Sequence, residues 1–544
     1  MNRIAGNADS ARRTLIFGLI LVLGGFLMFG GAGWGLPTIL HPDERTIVEP
    51  AIRMVQNRSF LPDVFYRPDH LLIHINALIY RVIVFLKGLP AESIGEIGIW
   101  VFHLTARIVT GVFAMGSIVM AYLIGKRYSN NIGLISAFLF AVFPLFVTHA
   151  HYASSDVPTT FFMLLFVLVA LIYMQKPTLK NLIIMALVTA AFITVKYPGA
   201  ILLLMIAVSV IVVSIVDKKY NRILKHGVAT IVFTALFVFL ISPILFIRFN
   251  DVKTAFLNEA RPEHLGSDGL GMGGNILFYL NTYMTAGGII LLVFFCFGCC
   301  ALISDRKNLY KHLPLFYSFI YWICLSYVSL HWERWSLPMV VSPLIISAIG
   351  VSKVCELIRT SKITPGRQKI FYKVFIVVLC LSALNLLTSA LGNLLDHRIP
   401  DTRVVSQAYI TENGMDESNT VFEGYTPLKP DRGGFAFAAF EKGDENIYLI
   451  DDNIEHIIIS SDMFDRILDE PDRFPGEAMF YRLLAENFTE TKRFVVADRD
   501  KSPIDIVNII YSISYMARVI EDGQTGPTLI FYETSPDNYI NPKT

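Results

Sequence analysis

Long apolar stretches separated by short polar loops run through the first 390 residues of the chain. An apolar stretch of roughly 17–25 residues is long enough to cross the hydrocarbon core of a bilayer as a helix. On this criterion the pattern predicts about eleven membrane-spanning helices. They are expected near residues 14–33, 101–124, 132–149, 158–174, 180–195, 198–216, 227–248, 286–303, 313–330, 335–351 and 370–390.

Two polar segments between these stretches are long enough to hold structure of their own. In residues 34–100 the pattern predicts a short helix over 44–56 and an amphipathic helix over 69–86, which is expected to lie in the membrane interface. Residues 250–285 are rich in glycine, which restrains the backbone little, so a mobile loop is expected there.

The pattern changes near residue 396, where the apolar stretches stop and charged and turn residues dominate. Helical periodicity appears at 402–413 and 476–490, and β-rich runs appear at 419–425, 446–450, 455–460, 493–498 and 528–533. A segment of about 140 residues that alternates helix and strand is expected to form a compact α/β domain. The sequence therefore predicts a transmembrane domain over residues 1–395 and a soluble α/β domain over 396–544.

Composition and charge place the chain in a membrane. Of the 544 residues, 54% are hydrophobic and 17% are charged, whereas soluble domains are about a quarter charged. The formal net charge of +1 gives no sign of a nucleic-acid partner. Clusters of Lys and Arg precede the first predicted span and follow the even-numbered spans, and short loops of this kind stay in the cytoplasm. The predicted topology has a cytoplasmic N-terminus and an extracytoplasmic C-terminal domain.

Ionisable side chains crowd at the outer ends of the predicted spans, while the spans themselves are nearly free of charge. This distribution favours a site at the outer boundary between membrane and water. It argues against a transporter, whose coupling residues lie near the midplane of the membrane. The candidate site residues are His41, Asp43, Glu44, Asp156, Lys196, Tyr197, Arg261, His264, Glu333 and Arg334.

Carboxylates and cations at one boundary suit the transfer of a sugar from a lipid phosphate. A carboxylate within reach of an acceptor hydroxyl takes its proton during attack, and fixed cations stabilise the charge that grows on the departing phosphate. Lys196, Arg261 and Arg334 are the expected phosphate-binding residues, since a guanidinium matches phosphate oxygens well. A monophosphate requires no metal for this, so no cofactor is predicted, although a divalent cation is compatible with the pattern.

Each candidate also has a purely structural interpretation. Asp43 and Asp156 both precede predicted helices, where an aspartate commonly caps the free amides of the first turn. Lys196 fits an interfacial anchor, and the Glu333–Arg334 pair between two tryptophans fits an interfacial ion pair.

The order of the motifs over roughly residues 10–350 resembles that of a known enzyme family. The motifs are His41-Pro42-Asp43-Glu44, Ser154-Ser155-Asp156-Val157-Pro158, Lys196-Tyr197-Pro198, Glu263-His264-Leu265-Gly266 and Glu333-Arg334-Trp335. The chain resembles the GT-C-fold glycosyltransferases that include protein O-mannosyltransferases and lipid A aminoarabinose transferases (glycosyltransferase family 39 and its bacterial relatives). Trp335 is a departure, since Tyr is expected there.

The resemblance implies an integral-membrane enzyme that moves a sugar, with inversion, from a polyprenyl-phosphate donor to an acceptor hydroxyl. The acceptor would be a lipid, a glycan or a protein on the extracytoplasmic face of the plasma (inner) membrane. By analogy Asp43 is the general base, and Glu44 and Asp156 share the catalytic site. The residues assigned supporting roles are His41, Tyr197, His264 and Glu333.

Other functions stay open at this stage. A glycan polymerase or ligase with a diphosphate-linked donor would need more fixed positive charge or a metal. A transporter of lipid-linked sugars would carry polar residues inside its spans. A sensor or scaffold would work through its exported domain, and the carboxylates would be dispensable.

Overall fold

The structure of the protein is a computed structural model of the chain. It describes residues 2–65, 67–259, 270–328, 330–430, 434–442, 448–449, 453–534 and 539–540.

Helices account for most of the first 395 residues. They are α1 (Asn2–Phe29), α2 (Arg45–Gln56), α3 (His70–Leu86), α4 (Ile99–Lys126), α5 (Asn130–Val142), α6 (Pro144–Ala150), α7 (Asp156–Gln175), α8 (Leu179–Val195), α9 (Ile201–Val216), α10 (Asn221–Ile241), α11 (Ile244–Ile247), α12 (Phe249–Glu259), α13 (Gly271–Gly287), α14 (Ile289–Ser304), α15 (Leu309–His312), α16 (Tyr317–Leu325), α17 (Val341–Thr360) and α18 (Pro365–Leu395). Short 3₁₀ turns are Ala91–Glu96, Tyr197–Ala200, Leu313–Phe316 and Glu333–Ser336.

Helices and strands are mixed in the rest of the chain. The helices are α19 (Thr402–Val405), α20 (Gln407–Glu412), α21 (Ser461–Leu468), α22 (Pro475–Asn487) and α23 (Asp505–Asp522), with a 3₁₀ turn at Ala436–Ala439. The strands are β1 (Thr420–Phe422), β2 (Glu441–Lys442), β3 (Tyr448–Leu449), β4 (His456–Ser460), β5 (Thr489–Phe494), β6 (Leu529–Glu533) and β7 (Tyr539–Ile540).

The apolar stretches predicted to span a membrane are helical. Within the described residues, seven helices are long and apolar enough to cross a membrane, or up to nine if each of two bent pairs is one span. The two other predicted spans correspond to shorter segments. Residues 180–195 fall in the 17-residue helix α8, and residues 313–330 contain a 3₁₀ turn followed by the nine-residue helix α16.

Proline and glycine cause the two bends. Pro144 opens α6, which is bent by 58° from α5, because proline provides no N–H to continue the preceding helix. Gly288 separates α13 from α14, which meet at 110°, and its φ is +82°. That backbone conformation strains residues with a Cβ, so the second bend depends on glycine.

The mobile loop expected over residues 250–285 is wrong at both ends, because α12 occupies residues 249–259 and α13 occupies residues 271–287. Tyr279 and Tyr283 of this helix are buried, and their packing outweighs the low helix propensity of its glycines. Residues 260–269 of the same glycine-rich segment lie outside the described residues. The two helices predicted in the first outer loop are present as α2 and α3.

The described chain divides into two compact units. The membrane unit comprises Met1–Ala32, Thr46–Leu394 and Asp500–Ile513, and the C-terminal unit comprises Gly33–Arg45, Leu395–Arg499 and Ser514–Thr544. Residues 33–45 therefore group with the C-terminal part of the chain, and residues 500–513 group with the membrane helices. The division into domains at residue 395, drawn from composition, stays a prediction.

The C-terminal unit is built on a mixed sheet of order β1-β4-β6-β5. β1 and β4 are parallel, whereas β6 is antiparallel to both of its neighbours. Successive side chains of a strand point to opposite faces. Ile457 and Ile459 accordingly pack in a cluster with Phe480 of α22, and Ile458 packs in another with Phe531 of β6. The sequence did not predict helices α21 and α23. Strand β5 was predicted from residue 493 but begins at Thr489.

Two glycines permit a close contact between α14 and α17 of the membrane unit. A Cβ at Gly298 would lie 2.0 Å from the carbonyl oxygen of Ile346, and one at Gly350 would lie 1.8 Å from that of Phe294. Small residues let membrane helices approach this closely.

Gly350→Ala is expected to destabilise the protein by about 1–3 kcal/mol, the usual cost of forcing an extra methyl group into a packed core. The added carbon would overlap backbone atoms, which cannot turn aside as a side chain could. Gly227→Ala in α10 is the matched control, because nothing lies within 4 Å of its added carbon. Thermal unfolding of both variants in detergent checks this, and equal melting temperatures would contradict it.

A buried carboxyl group makes the C-terminal unit sensitive to pH. The carboxyl oxygens of Glu423 accept hydrogen bonds from the Ser460 N–H and the Tyr481 hydroxyl, each at 2.7 Å. Burial raises the pKa of Glu423 to about 7, because a poorly solvated environment disfavours the charged form.

The stability of this unit is expected to fall as pH rises from the ordinary pKa of Glu423 towards 7. In that window the unfolded state ionises Glu423 while the folded state keeps its proton, so folding becomes less favourable. The loss would be on the order of 3 kcal/mol, at 1.36 kcal/mol per pKa unit. Denaturant unfolding at several pH values checks this. A Glu423→Gln variant with an unchanged pH dependence would show that another group is responsible.

Candidate active site

Asp156 opens helix α7 and is almost completely buried, with 3% of its surface exposed. Its backbone carbonyl accepts hydrogen bonds from the hydroxyls of Thr159 and Thr160, at 2.7 and 3.0 Å. These bonds fix the first turn of the helix, and with it the direction of the Asp156 side chain.

Two cations converge on the Asp156 carboxylate. Lys196 Nζ lies 2.7 Å from Oδ1, and Arg334 Nε lies 3.7 Å from Oδ2. Lys196 has extended backbone angles and ends α8 immediately before the turn at 197–200. Arg334 lies in the 3₁₀ turn Glu333–Ser336. Three separate elements of the membrane unit thus bring together three of the predicted site residues.

Two tryptophans pack against these cations. Lys196 Nζ lies 5.2 Å from the ring centroid of Trp335, and the guanidinium carbon of Arg334 lies 5.0 Å from that of Trp332. A cation at this distance over an aromatic face is attracted by the ring, so the contacts restrict where each charge lies. Trp335, the departure from the expected Tyr, therefore contacts the cluster through its ring.

The cluster of Asp156, Lys196 and Arg334 carries more positive than negative charge. At neutral pH it combines one carboxylate with two cations. Both cationic side chains are partly exposed, by 16% for Lys196 and 26% for Arg334. Such a group can attract an anion from solvent, and a guanidinium presents paired donors to phosphate or carboxylate oxygens.

A second ion pair, which the sequence analysis missed, lies near Tyr197, the residue that follows Lys196. The Tyr197 hydroxyl donates to the backbone carbonyl of Phe65 at 2.8 Å. Two residues further along, Arg67 Nε lies 3.0 Å from Oδ2 of Asp69, whose side chain is 1% exposed. The signal in the sequence was the charged Arg-Pro-Asp run directly before the amphipathic helix α3.

Glu333 lies at the edge of the same region. Its Oε2 atom is 3.8 Å from Nζ of Lys501, and both side chains are about half exposed. Sequence reasoning missed Lys501, because a contact across more than 160 residues leaves no local pattern.

The motif that carries Asp43 belongs to the C-terminal unit. The Asp43 N–H donates to Nδ1 of His41 at 3.2 Å, and the Glu44 N–H donates to the His41 carbonyl at 3.3 Å. These bonds form a turn directly before α2. Asp43 is half-buried, whereas Glu44 is fully buried.

Arg403 of the C-terminal unit contacts the residues that precede this turn. Its guanidinium donates to the Leu40 carbonyl at 3.0 Å and lies 5.5 Å from the ring centroid of Trp34. Asp401 accepts two further hydrogen bonds from it, each of 2.8 Å. Arg403 was not among the predicted residues, and its contacts make it a positioning residue for the loop that carries Asp43.

Two predicted residues, Arg261 and His264, lie outside the described residues. In the part of the chain that the structure describes, no group of three or more His, Cys, Asp and Glu residues could hold a metal ion. Independence from metal stays a prediction.

Sequence comparison gives a family match over part of the chain. Residues 99–247 match the model of the dolichyl-phosphate-mannose-protein mannosyltransferase family. An uncharacterised protein of Aquifex aeolicus (strain VF5) is 27% identical over 151 residues, which are 27% of this chain and 28% of that protein. The similarity thus spans little more than a quarter of the length of that relative.

One solved structure with a TM-score above 0.5 shares the fold, and a second is similar over most of its length. The oligosaccharyltransferase of Archaeoglobus fulgidus in its apo form is similar over 89% of this chain and 73% of its own, with a TM-score of 0.52 and 10% identity. ArnT from Cupriavidus metallidurans bound to undecaprenyl phosphate is similar over 95% and 97%, with a TM-score of 0.47 and 13% identity.

The predicted fold class is confirmed. The chain is an integral membrane protein with the GT-C fold and a small sheet region near its C-terminus. The family match and the fold together support a glycosyltransferase.

Lys196→Met is expected to destabilise the membrane unit, because the Asp156 carboxylate would stay buried without its nearest cation. Removing one partner of a buried pair costs about 3–5 kcal/mol. Adding Asp156→Asn should recover part of that loss, and denaturant unfolding of the four proteins of the cycle in detergent measures the coupling.

The pair formed by Arg222 and Asp217 is the matched control for this cycle. Its atoms also lie 2.7 Å apart, but Asp217 is 38% exposed, so a coupling of about 0–1 kcal/mol is expected. Strictly additive effects of Lys196→Met and Asp156→Asn would contradict the assigned pairing.

Proposed function

We propose that the protein transfers a sugar from a polyprenyl-phosphate donor to an acceptor hydroxyl at the extracytoplasmic face of the plasma (inner) membrane. The observation that carries the proposal is the convergence of Lys196 and Arg334 on Asp156, which provides a partly exposed cationic cluster at the ends of membrane helices. The partial match to a family named for a dolichyl-phosphate sugar supports a donor of this class.

In the proposed reaction the acceptor oxygen attacks C1 of the sugar. The bond between the acceptor oxygen and C1 forms as the bond between C1 and the phosphate oxygen breaks. Asp43 takes the proton of the acceptor hydroxyl, and the polyprenyl phosphate departs with the bonding electrons. Attack opposite the leaving group inverts the configuration at C1.

Each charged group has a separate task in this scheme. Lys196 and Arg334 stabilise the charge that develops on the departing phosphate, and Arg261 is proposed to join them. Asp156 holds the two cations in place. Asp43 is the general base, with Glu44 beside it, and His41 orients the turn through its bond with the Asp43 N–H. Tyr197, His264 and Glu333 are assigned supporting roles.

The proposed topology follows from the Lys- and Arg-rich loops. The N-terminus and these loops lie in the cytoplasm, and the C-terminal domain lies outside. The acceptor would be a lipid, a glycan or a protein.

The decisive measurement is transfer of radiolabelled sugar from polyprenyl-phosphate donors by the purified protein, with donor binding measured separately. Asp43→Asn is expected to lower kcat by about 10²–10⁴, the usual contribution of a general base, with little change in donor Kd. Lys196→Met and Arg334→Gln are expected to weaken donor binding by about tenfold or more, since each removes a charge-assisted contact with phosphate.

Arg222→Gln provides the control, because it removes another ion-paired arginine of the membrane unit, at a cytoplasmic loop of the proposed topology. Transfer at the normal rate by Asp43→Asn would remove Asp43 from the chemical step. A failure of every monophosphate donor, with turnover of a diphosphate-linked donor, would instead favour a glycan polymerase or ligase.

A further inference from the structure

Residues 504–513 bury their polar side chains and expose all but one of their isoleucines, the exception being Ile509 at 7% exposed. The segment contains the first half of α23 and belongs to the membrane unit. Asp505, Asn508 and Ser512 are each less than 5% exposed. The isoleucine stripe of this segment, with 51–57% of each side chain exposed, consists of Ile504, Ile506, Ile510 and Ile513. A surface helix in water shows the opposite arrangement, since its apolar side faces the core.

The buried polar groups find their partners inside the protein. The Asp505 carboxylate accepts hydrogen bonds from the Ile290 N–H at 3.0 Å and from the Asn385 amide at 3.2 Å. The Asn508 amide donates to the side-chain oxygens of Asn385 and Ser389, at 2.8 and 3.0 Å. A segment surrounded by lipid requires such internal partners, because acyl chains offer no hydrogen bonds.

The partners of this segment lie in the apolar part of a membrane helix. Asn385 and Ser389 belong to α18, in which residues 374–395 carry no charge. At 1.5 Å per residue this stretch is about 33 Å long, close to the roughly 30 Å of the hydrocarbon core. A segment bonded to Asn385 and Ser389 therefore lies at the height of the membrane.

Gly288 has no Cβ, and the Asp505 side chain of the segment occupies the space where a Cβ would lie. A Cβ at this position would lie 2.4 Å from Oδ1 of Asp505 and 2.7 Å from Nδ2 of Asn385. Next to it, the Ile289 N–H at the start of α14 donates to the Pro503 carbonyl at 2.8 Å. The glycine that bends α13 against α14 thus also admits residues 503–505.

We propose that residues 504–513 lie within the bilayer, in the half nearer the C-terminal end of α18, and that the isoleucine stripe contacts lipid acyl chains. The stripe extends the apolar outer surface of the same unit, where Val377 and Leu384 of α18 are 58% and 45% exposed. The segment comes from the part of the sequence predicted to be soluble, so it adds a membrane contact that hydropathy does not indicate. This inference does not depend on the proposed function.

The test places a fluorescent label on the stripe of the full-length protein. The six native cysteines are replaced, Ile510→Cys is labelled with an environment-sensitive fluorophore, and the protein is reconstituted into vesicles of acyl-chain-brominated phosphatidylcholine. Val377→Cys serves as the lipid-facing reference and Lys501→Cys as the water-facing one, since Lys501 lies three residues before the segment and is about half exposed. Ile506→Cys repeats the measurement on the same stripe if the first variant is not monodisperse.

Quenching by brominated lipid at position 510 is expected within about twofold of that at 377 and several times that at 501, because bromine on acyl chains reaches groups in the hydrocarbon region. Iodide in the aqueous phase should quench only the label at position 501. Iodide quenching at 510 equal to that at 501 would overturn the proposal and place the stripe in water. Protection of position 510 from both quenchers would also overturn it, since protein would then cover the stripe.

Discussion

A charged group at the edge of a membrane is stable when an opposite charge and hydrogen bonds replace the water that it loses. Asp156 meets this condition through Lys196 at 2.7 Å and Arg334 at 3.7 Å. The constraint also shapes the backbone around the cluster. α8 ends before Lys196, whose extended conformation brings its side chain to Asp156, and Pro198 starts a new turn where the helix could not continue with its hydrogen bonds. The break between α8 and α9 thus lies at the residue whose side chain reaches Asp156.

Close helix contacts hold the frame that carries these charges. Within lipid, apolar side chains gain little from turning inward, so helices associate through close packing and polar contacts instead. Gly298 and Gly350 permit α14 and α17 to approach until each glycine lies against the backbone of the other helix. The Ser347 hydroxyl of α17 adds a bond to the Leu291 carbonyl of α14 at 3.1 Å. Helices packed in this way can include a polar side chain when that side chain has a hydrogen-bond partner, as Ser347 does.

Hydropathy and motif order predicted the parts of the molecule that depend on local sequence. The length of each apolar stretch is a local property, which is why most spans could be located. Asp156, Lys196 and Arg334 could be placed together because the predicted topology puts each of them at the outer end of a span. Arg403 was not predicted, because its role depends on a hydrogen bond to Leu40, which is more than 360 residues away in the sequence. Strand β5 escaped in part because its exposed sequence, Thr489–Phe494, shows no alternation of apolar and polar residues.

The contacts of Arg403 give the C-terminal unit a structural role that its sequence does not reveal. The segment Gly33–Arg45, which carries Asp43, is grouped with this unit, and Arg403 binds it through Leu40 and Trp34. Arg403 itself donates two side-chain hydrogen bonds to Asp401 and is 3% exposed, so its side chain has little freedom to move. Residues 500–513 show the converse relation, since they come from the same part of the sequence yet bond to α18 and α14 of the membrane unit. Each unit is therefore made of segments that are far apart in the sequence. Removing the sequence after residue 395 would take away both the Arg403 contact with the Asp43 loop and the partners of Asn385.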